Sequence, residues 1–464
     1  MRQAYQNADR QGQVRSWKLF KLTSRMLLWR SHQRNPKKHE LEKRLERFHN
    51  QEWATLIQES REAGARPRKS ACTRPETTSL GTKARRAEQC VRQGEVSRGR
   101  QALCANSLAP GTPDTLRELT DPEKRPPVLS ESIPPEILSF WPAASFELSR
   151  EKYAKNIRSA PRGSAAGLAG DTNEHYKVVL DDEEATELLL DAAEKLAQAD
   201  VPEAVSNAMS LGSLTALRKD DGKVRGIVAG DTFRRGVSRT MAQQSAQVLE
   251  KACSPFQFAL STRAGTDCVA RLIKALIELD PSKTVTSIDG IGAYDHIKRK
   301  AMLGALYERT ELQQLIPFVR MFYGKDSEYI WYDDKGEPHS IRQGEGGEQG
   351  DPLMPALFAL GQHAALVEVN EKLQDGEFIF AFLDDIYVVS QPDRVHDIFQ
   401  LVALALERHA GVQVHLGKTK IWNAARRKPP GSEAIHKDAW VGGKAERSQR
   451  GRRPRDPSGN PSFY

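Results

Sequence analysis

The stretch from Phe378 to Ser390 (FIFAFLDDIYVVS) limits what this chain can fold into more than any other. Apolar, β-branched and aromatic residues flank Asp384-Asp385 on both sides, which predicts a strand, a tight turn and a returning strand. Two adjacent carboxylates at the tip of an apolar hairpin repel each other unless cations or donors stand opposite them. An ordinary surface turn would carry the same pair, because Asp is common in turns. A third carboxylate separates the two readings. Residues 284–289 (TVTSID) predict a short buried strand ending on Asp289.

Charge divides the chain into three. The 464 residues hold 69 Lys and Arg against 61 Asp and Glu. Residues 1–100 have a local excess of +14 and residues 426–464 one of +6, which leaves 101–425 at −12. Basic ends around an acidic middle suit ends that meet polyanions, or solvated tails, and a middle that collects cations. The five cysteines, Cys72, Cys90, Cys104, Cys253 and Cys268, form no CxxC or CxH pair, which argues against a zinc finger or a disulfide framework. With no apolar run of membrane-spanning length and no signal-peptide core, the expectation is an intracellular protein, nuclear or cytoplasmic, with no membrane partner. Basic clusters such as Arg66-Pro-Arg-Lys69 are too generic to decide nuclear import.

Taken in order, residues 1–62 predict a basic helical extension: helix, a break at Asn35-Pro36, then helix. Lys and Arg on its outer faces suit either nucleic-acid binding or a plain helical hairpin docked on the core. Residues 63–146, poor in periodicity and rich in Arg, Ser, Thr and Pro, read as a largely irregular linker with short helices. Residues 147–425 carry the folded body, and 426–464 read as a disordered basic tail. Within the body, a glycine-rich segment (163–171) precedes an amphipathic helix at 182–199. The run LGSLTALRKDDGKVRGIVAG (211–230) predicts a hairpin turning at Asp221-Gly222, with Arg218, Lys219, Lys223 and Arg225 at its tip. Helices follow at 234–252 and 266–279, and after Asp289 the chain turns through Gly290-Ile-Gly292-Ala-Tyr294-Asp295 into a helix at 296–309. A second hairpin (327–343), a glycine-rich loop (344–352) opening into an apolar helix, and the Asp-Asp hairpin complete the order.

Three carboxylates, one ending a strand and two on an adjoining hairpin, suit hard divalent cations, which take oxygen ligands and keep substrate phosphates in their shell. Two such ions can steady the attacking and leaving oxygens of a phosphoryl transfer. A basic hairpin grips phosphate by charge and fork, and a glycine-rich loop ahead of a helix lets main chain approach a nucleotide.

With these motifs in this order, residues 160–422 resemble a reverse transcriptase of the non-long-terminal-repeat retrotransposon type. KDDGKVRGIV is similar to that family's fingers hairpin, SIDGIGAYDHI to its first catalytic motif, GGEQGDPLMPALF to its nucleotide-binding loop, FLDD to its second catalytic motif and HLGKTKIW to its lysine motif. The resemblance implies an α+β polymerase right hand: a palm with a small antiparallel sheet backed by helices, and fingers built around the 211–230 hairpin. It implies that Asp289 and Asp384 bridge two Mg²⁺ ions (Mn²⁺ as a substitute), that the Gly290 carbonyl is a further ligand and that Asp385 completes the acidic cluster. Main chain at Gly292 and Ala293 would approach the triphosphate of a dNTP, with Lys219 (or Arg218) and Arg225 gripping it. Tyr294 falls where the family places the ring that blocks a ribose 2′-OH, and Gln349 with Gly350 would line the nucleotide pocket. Lys418 is a candidate proton donor to pyrophosphate or a salt-bridge partner, whereas Asp295 and Asp351 are expected to be cap or turn residues. The implied partners are an RNA template and a DNA primer, with protein partners unspecified.

One departure carries weight. After Trp440 the sequence is polar and aperiodic, where the family continues into a primer grip and a helical thumb. A truncated or frame-shifted copy is therefore an expectation, and a catalytically defective remnant that at most binds RNA is the alternative function. A palm of the RNA-copying or nucleotidyl-cyclase kind would share the acidic site, but Tyr294 and the QGDPL loop count against it.

Overall fold

The computed structural model describes residues 9–29, 38–65, 80–92, 94, 96–219 and 222–442. The break expected at Asn35-Pro36, the basic cluster at 66–69, Cys72, Asp221 and the tail beyond 442 lie outside the described residues. The strands, in chain order, are β1 (Gly212–Arg218), β2 (Val224–Ala229), β3 (Thr284–Ile288), β4 (Ser327–Tyr332), β5 (Pro338–Gln343), β6 (Phe378–Phe382), β7 (Asp385–Ser390) and β8 (Lys420–Asn423). The described residues form two compact units, one drawn from 1–121, 148–237 and 327–342, the other from 122–147, 238–326 and 343–464.

The first unit holds a sheet in the order β2-β1-β4-β5. The expected hairpin pairs β1 with β2 from Ser213 opposite Ala229 to Arg218 opposite Val224, and Lys219 N–H donates to the Lys223 carbonyl at 2.8 Å to close its turn. Alternation sends Leu214, Ala216 and Val228 to one face, where they bury with Tyr329, Trp331, Ile341 and Leu119. The helix at 182–199 is present as Glu183–Ala197, capped by Asp182. At the N-terminus, helices run Arg10–Leu27, Lys38–His49 and Trp53–Ala65, the last two separated at Gln51, whose φ is +62°. The first buries Trp17 and Met26, and with them Lys21.

In the second unit β6-β7-β3-β8 form an antiparallel sheet. Period-two alternation gives it two apolar faces. Ile288, Ile379, Ala381, Ile386, Val388 and Ile421 face one core with helices Met354–Glu371 and Val395–Ala405; Val285, Phe380 and Val389 face the other, against helix Gly265–Leu279. Burying each aliphatic side chain of this size contributes about 1.5–3 kcal/mol, so a charge on either face would be expelled and polar groups collect at the sheet ends.

The stretch read as a largely irregular linker with short helices contains helices Leu80–Arg92, Val96–Cys104, Pro113–Leu119 and Pro135–Leu138, and it also buries Leu119, Ile133, Ile137 and Phe146. The tail read as disordered from 426 stays packed to Gly442. Ile435 and Ala439 join the core below β8, Ile421 N–H donates to Ala439 O at 2.8 Å, and Val441 N–H donates to Ile421 O at 3.0 Å. That parallel bridge covers the outer edge of β8.

Candidate active site

The pairing register builds the acidic end of the second unit's sheet. Ile288, the last residue of β3, lies opposite Ile386, and Phe382 lies opposite Asp385. Asp289, Asp385 and the turn residue Asp384 therefore leave the same end of the sheet. Their charges converge on the ring of Tyr387: burial pushes its phenol up to about 12, and Asp385, Asp289 and Asp384 add to the shift. Asp289 Oδ2 accepts from Lys418 Nζ at 2.7 Å, a pair with side chains 23% and 49% exposed. Of the two roles left open for Lys418, the salt bridge is the one present here.

Past β3 the backbone is held by the 411–415 segment. Asp289 C=O accepts from His415 N–H at 2.7 Å and Ile291 N–H donates to Gln413 O at 2.7 Å, which leaves Gly290 out of that exchange. A Cβ at Gly290 would stand 2.8 Å from Val412 Cγ1, so only glycine fits. Gly292, with φ of +53°, starts the short turn Ala293–His296; Ala293 is buried. The helix expected at 296–309 is thus a turn followed by Arg299–Tyr307. Tyr294 stacks flat on Phe358, with centroids 4.8 Å apart and planes 2° apart. Burial raises its phenol well above the usual range, and the Asp384 charge contributes. The glycine-rich loop is tied to the same residue: Gly347 N–H donates to Tyr294 O at 3.0 Å, while Gln349 and Gly350 lie exposed beyond.

Asp351 and Asp295 have structural roles. Buried Asp351 accepts from Ser238 Oγ, from Tyr323 OH at 2.7 Å and from Leu353 N–H at 3.0 Å. Asp295 lies 3.6 Å from Arg125. Lys219 and Arg225 belong to the β1–β2 hairpin of the first unit, Arg225 exposed and paired in register with Leu217. Sequence reasoning missed what holds the Asp384 turn. Leu383 has a φ of +55°, and two buried glutamines bond its peptide groups. Nothing in the local sequence marks either glutamine.

Asp289, Asp384 and Asp385 are all oxygen donors, the set that fits a hard divalent ion. Among the described residues no three carboxylate, imidazole or thiol groups form a ready-made ligand cluster.

Residues 217–443 match the family described as reverse transcriptase (RNA-dependent DNA polymerase). Residues 217–443 therefore carry a reverse transcriptase domain. Over 273 residues, 58% of this chain, it is 29% identical to the retrotransposable element SLACS 132 kDa protein of Trypanosoma brucei gambiense. The match spans 22% of that relative's length. An apo telomerase from Candida tropicalis, truncated of its C-terminal domain, aligns at 12% identity and a TM-score of 0.36, covering 46% of this chain and 50% of that one. A telomerase from Candida albicans aligns at 14% and 0.36, covering 47% and 42%. At those scores neither likeness adds to the fold assignment. The reverse transcriptase domain has its helix-backed antiparallel sheet in the second unit, the α+β palm expected of it. No helix among the described residues is long and apolar enough to cross a membrane.

Proposed function

We propose that this reverse transcriptase domain adds deoxynucleotides to a DNA primer on an RNA template. The observation that supports this most is the shared sheet end of Asp289, Asp384 and Asp385, beside the Tyr294 turn and the loop tied to it. In the reaction the primer 3′-oxygen attacks the α-phosphorus, the bond to pyrophosphate breaks and the 3′-hydroxyl proton is lost. Asp289, Asp384 and the Gly290 carbonyl would hold two Mg²⁺ ions, with Mn²⁺ as a substitute. When bound, such ions neutralise charge on the attacking and leaving oxygens. The chain's own part is alignment rather than covalent chemistry. Main chain at Gly292 and Ala293 approaches the triphosphate. The Tyr294 ring, fixed by Phe358, excludes a 2′-hydroxyl, and Gln349 with Gly350 line the pocket. Lys418, an ammonium already at Asp289, is placed to give a proton to departing pyrophosphate.

The test is primer extension on a primed RNA with Mg²⁺ or Mn²⁺. Asp289→Ala and Asp384→Ala should each lower the single-nucleotide rate by about 1,000-fold or more, with the melting temperature retained. Full extension by either variant removes the proposal. A wild-type chain that adds no nucleotide under either ion returns the domain to the defective, RNA-binding remnant.

A further inference from the structure

Asp384 sits in a two-residue turn whose other member, Leu383, is in the left-handed region at a φ of +55°. A branched side chain there is disfavoured, since hairpin turns with positive φ select Gly, Asn or Asp. Both peptide groups of Leu383 are held from outside the hairpin. Its N–H donates to Gln257 Oε1 at 2.8 Å, and its C=O accepts from Gln362 Nε2 at 2.7 Å. Gln257 is 5% exposed and Gln362 1%. Each stands on a fixed support. Gln257 lies on a strap bridged to β6, where Phe258 N–H donates to Ala381 O at 2.9 Å and Ala381 N–H to Phe256 O at 2.8 Å. Gln362 projects from the buried middle of helix Met354–Glu371.

Gln257 also leaves its Nε2 buried without a hydrogen-bond partner among the described residues. An orphaned buried donor is costly, so this amide is kept for its oxygen, which serves the turn.

We infer that Gln257 and Gln362 are positioning residues that clamp Leu383 in the left-handed conformation and thereby aim the Asp384 carboxylate. This rests on the proposed polymerase reading for its effect on rate, but not for its effect on the turn. Strain held by surrounding structure at a reactive turn is a recognised way to pre-organise a site.

The experiment compares wild type, Gln257→Leu, Gln362→Leu and Leu383→Gly, with each glutamine variant also combined with Leu383→Gly. Two readouts are taken: the single-turnover rate and dNTP affinity in primer extension, and hydrogen exchange at the Leu383 amide. Each glutamine variant should slow nucleotide addition by about 10- to 100-fold, one or two hydrogen bonds' worth, with dNTP affinity changed far less. Gln257→Leu should also speed Leu383 exchange by about 10-fold or more. Glycine tolerates positive φ, so adding Leu383→Gly should recover most of the lost rate. A defect of packing alone would not be recovered in this way. Unchanged rates and unchanged exchange in both glutamine variants overturn the inference, as does a lost rate that glycine leaves unrestored. If the wild type adds no nucleotide, the polymerase reading fails instead, and exchange at Leu383 alone decides the clamp: faster exchange in Gln257→Leu upholds it, and unchanged exchange overturns it.

Discussion

The lysine–carboxylate contacts of Lys21 and of Lys418 have opposite characters. In the first unit Lys21 Nζ lies 2.6 Å from Asp171 Oδ2 and 2.9 Å from Asp231 Oδ2, with side chains 9%, 3% and 6% exposed. Tyr176 OH donates to Asp171 and also meets Lys21 at 3.2 Å, and Thr232 Oγ1 donates to the Asp171 carbonyl at 2.7 Å. At the acidic sheet end of the second unit, Lys418 meets Asp289 at 2.7 Å, but with side chains 49% and 23% exposed. A buried charge triad is closed to any other cation, because removing one member strands the rest in low dielectric. A half-exposed ion pair contributes little and can be exchanged. Burial thus marks the first as a lock that fastens the N-terminal helix to the 171 and 231 segments, and the second as an exchangeable contact at the candidate site.

Lys21→Met would break this contrast most forcefully. It should destabilise the chain by ~3–5 kcal/mol, the usual cost of removing one partner from a buried pair, as read from urea unfolding. A loss below about 1 kcal/mol would make the two lysines equivalent. The pH dependence sharpens the same point. Burial opposes the Lys21 charge, but Asp231 and Asp171 outweigh it and raise its pKa above 10.5. Its contribution is therefore complete below pH 10.5 and lost as pH rises through the higher folded value. Burial likewise opposes ionisation of Asp171, yet Lys21 and Tyr176 hold its carboxyl below the usual 3.8. That contribution is present above pH 3.8 and lost as pH falls through the lower folded value. Lys21→Met should remove the lysine's share of the alkaline fall and leave that of Tyr153 and Tyr176, whose phenols burial raises well above 10.0. The smallest effect belongs to Lys418→Ala. It should change unfolding free energy by less than about 1 kcal/mol and slow single-nucleotide addition by ~100-fold or less. A stability loss as large as that of Lys21→Met would show that exposure does not separate the two.

The same contrast explains what the sequence could reveal. Alternation around Asp384-Asp385 and the strand ending on Asp289 are local patterns, and β3, β6 and β7 form where those patterns place them. The β1–β2 hairpin is local for the same reason. Lys21 reads as one more outward basic residue because the carboxylates that bury it lie 150 and 210 positions away. Gln257 and Gln362 are hidden similarly, since they meet Leu383 across 126 and 21 positions. The 426–442 segment lacks periodicity because only scattered side chains such as Ile435 and Ala439 reach the core.

That last segment has a practical consequence. A chain cut after Asn423 would not be trimmed of a loose end. It would lose the strip laid along β8 by Ala439 and Val441, uncovering the N–H and C=O of Ile421, where a second molecule could stitch itself. Versions of this domain prepared for solution work should run at least to Gly442 if they are to stay single.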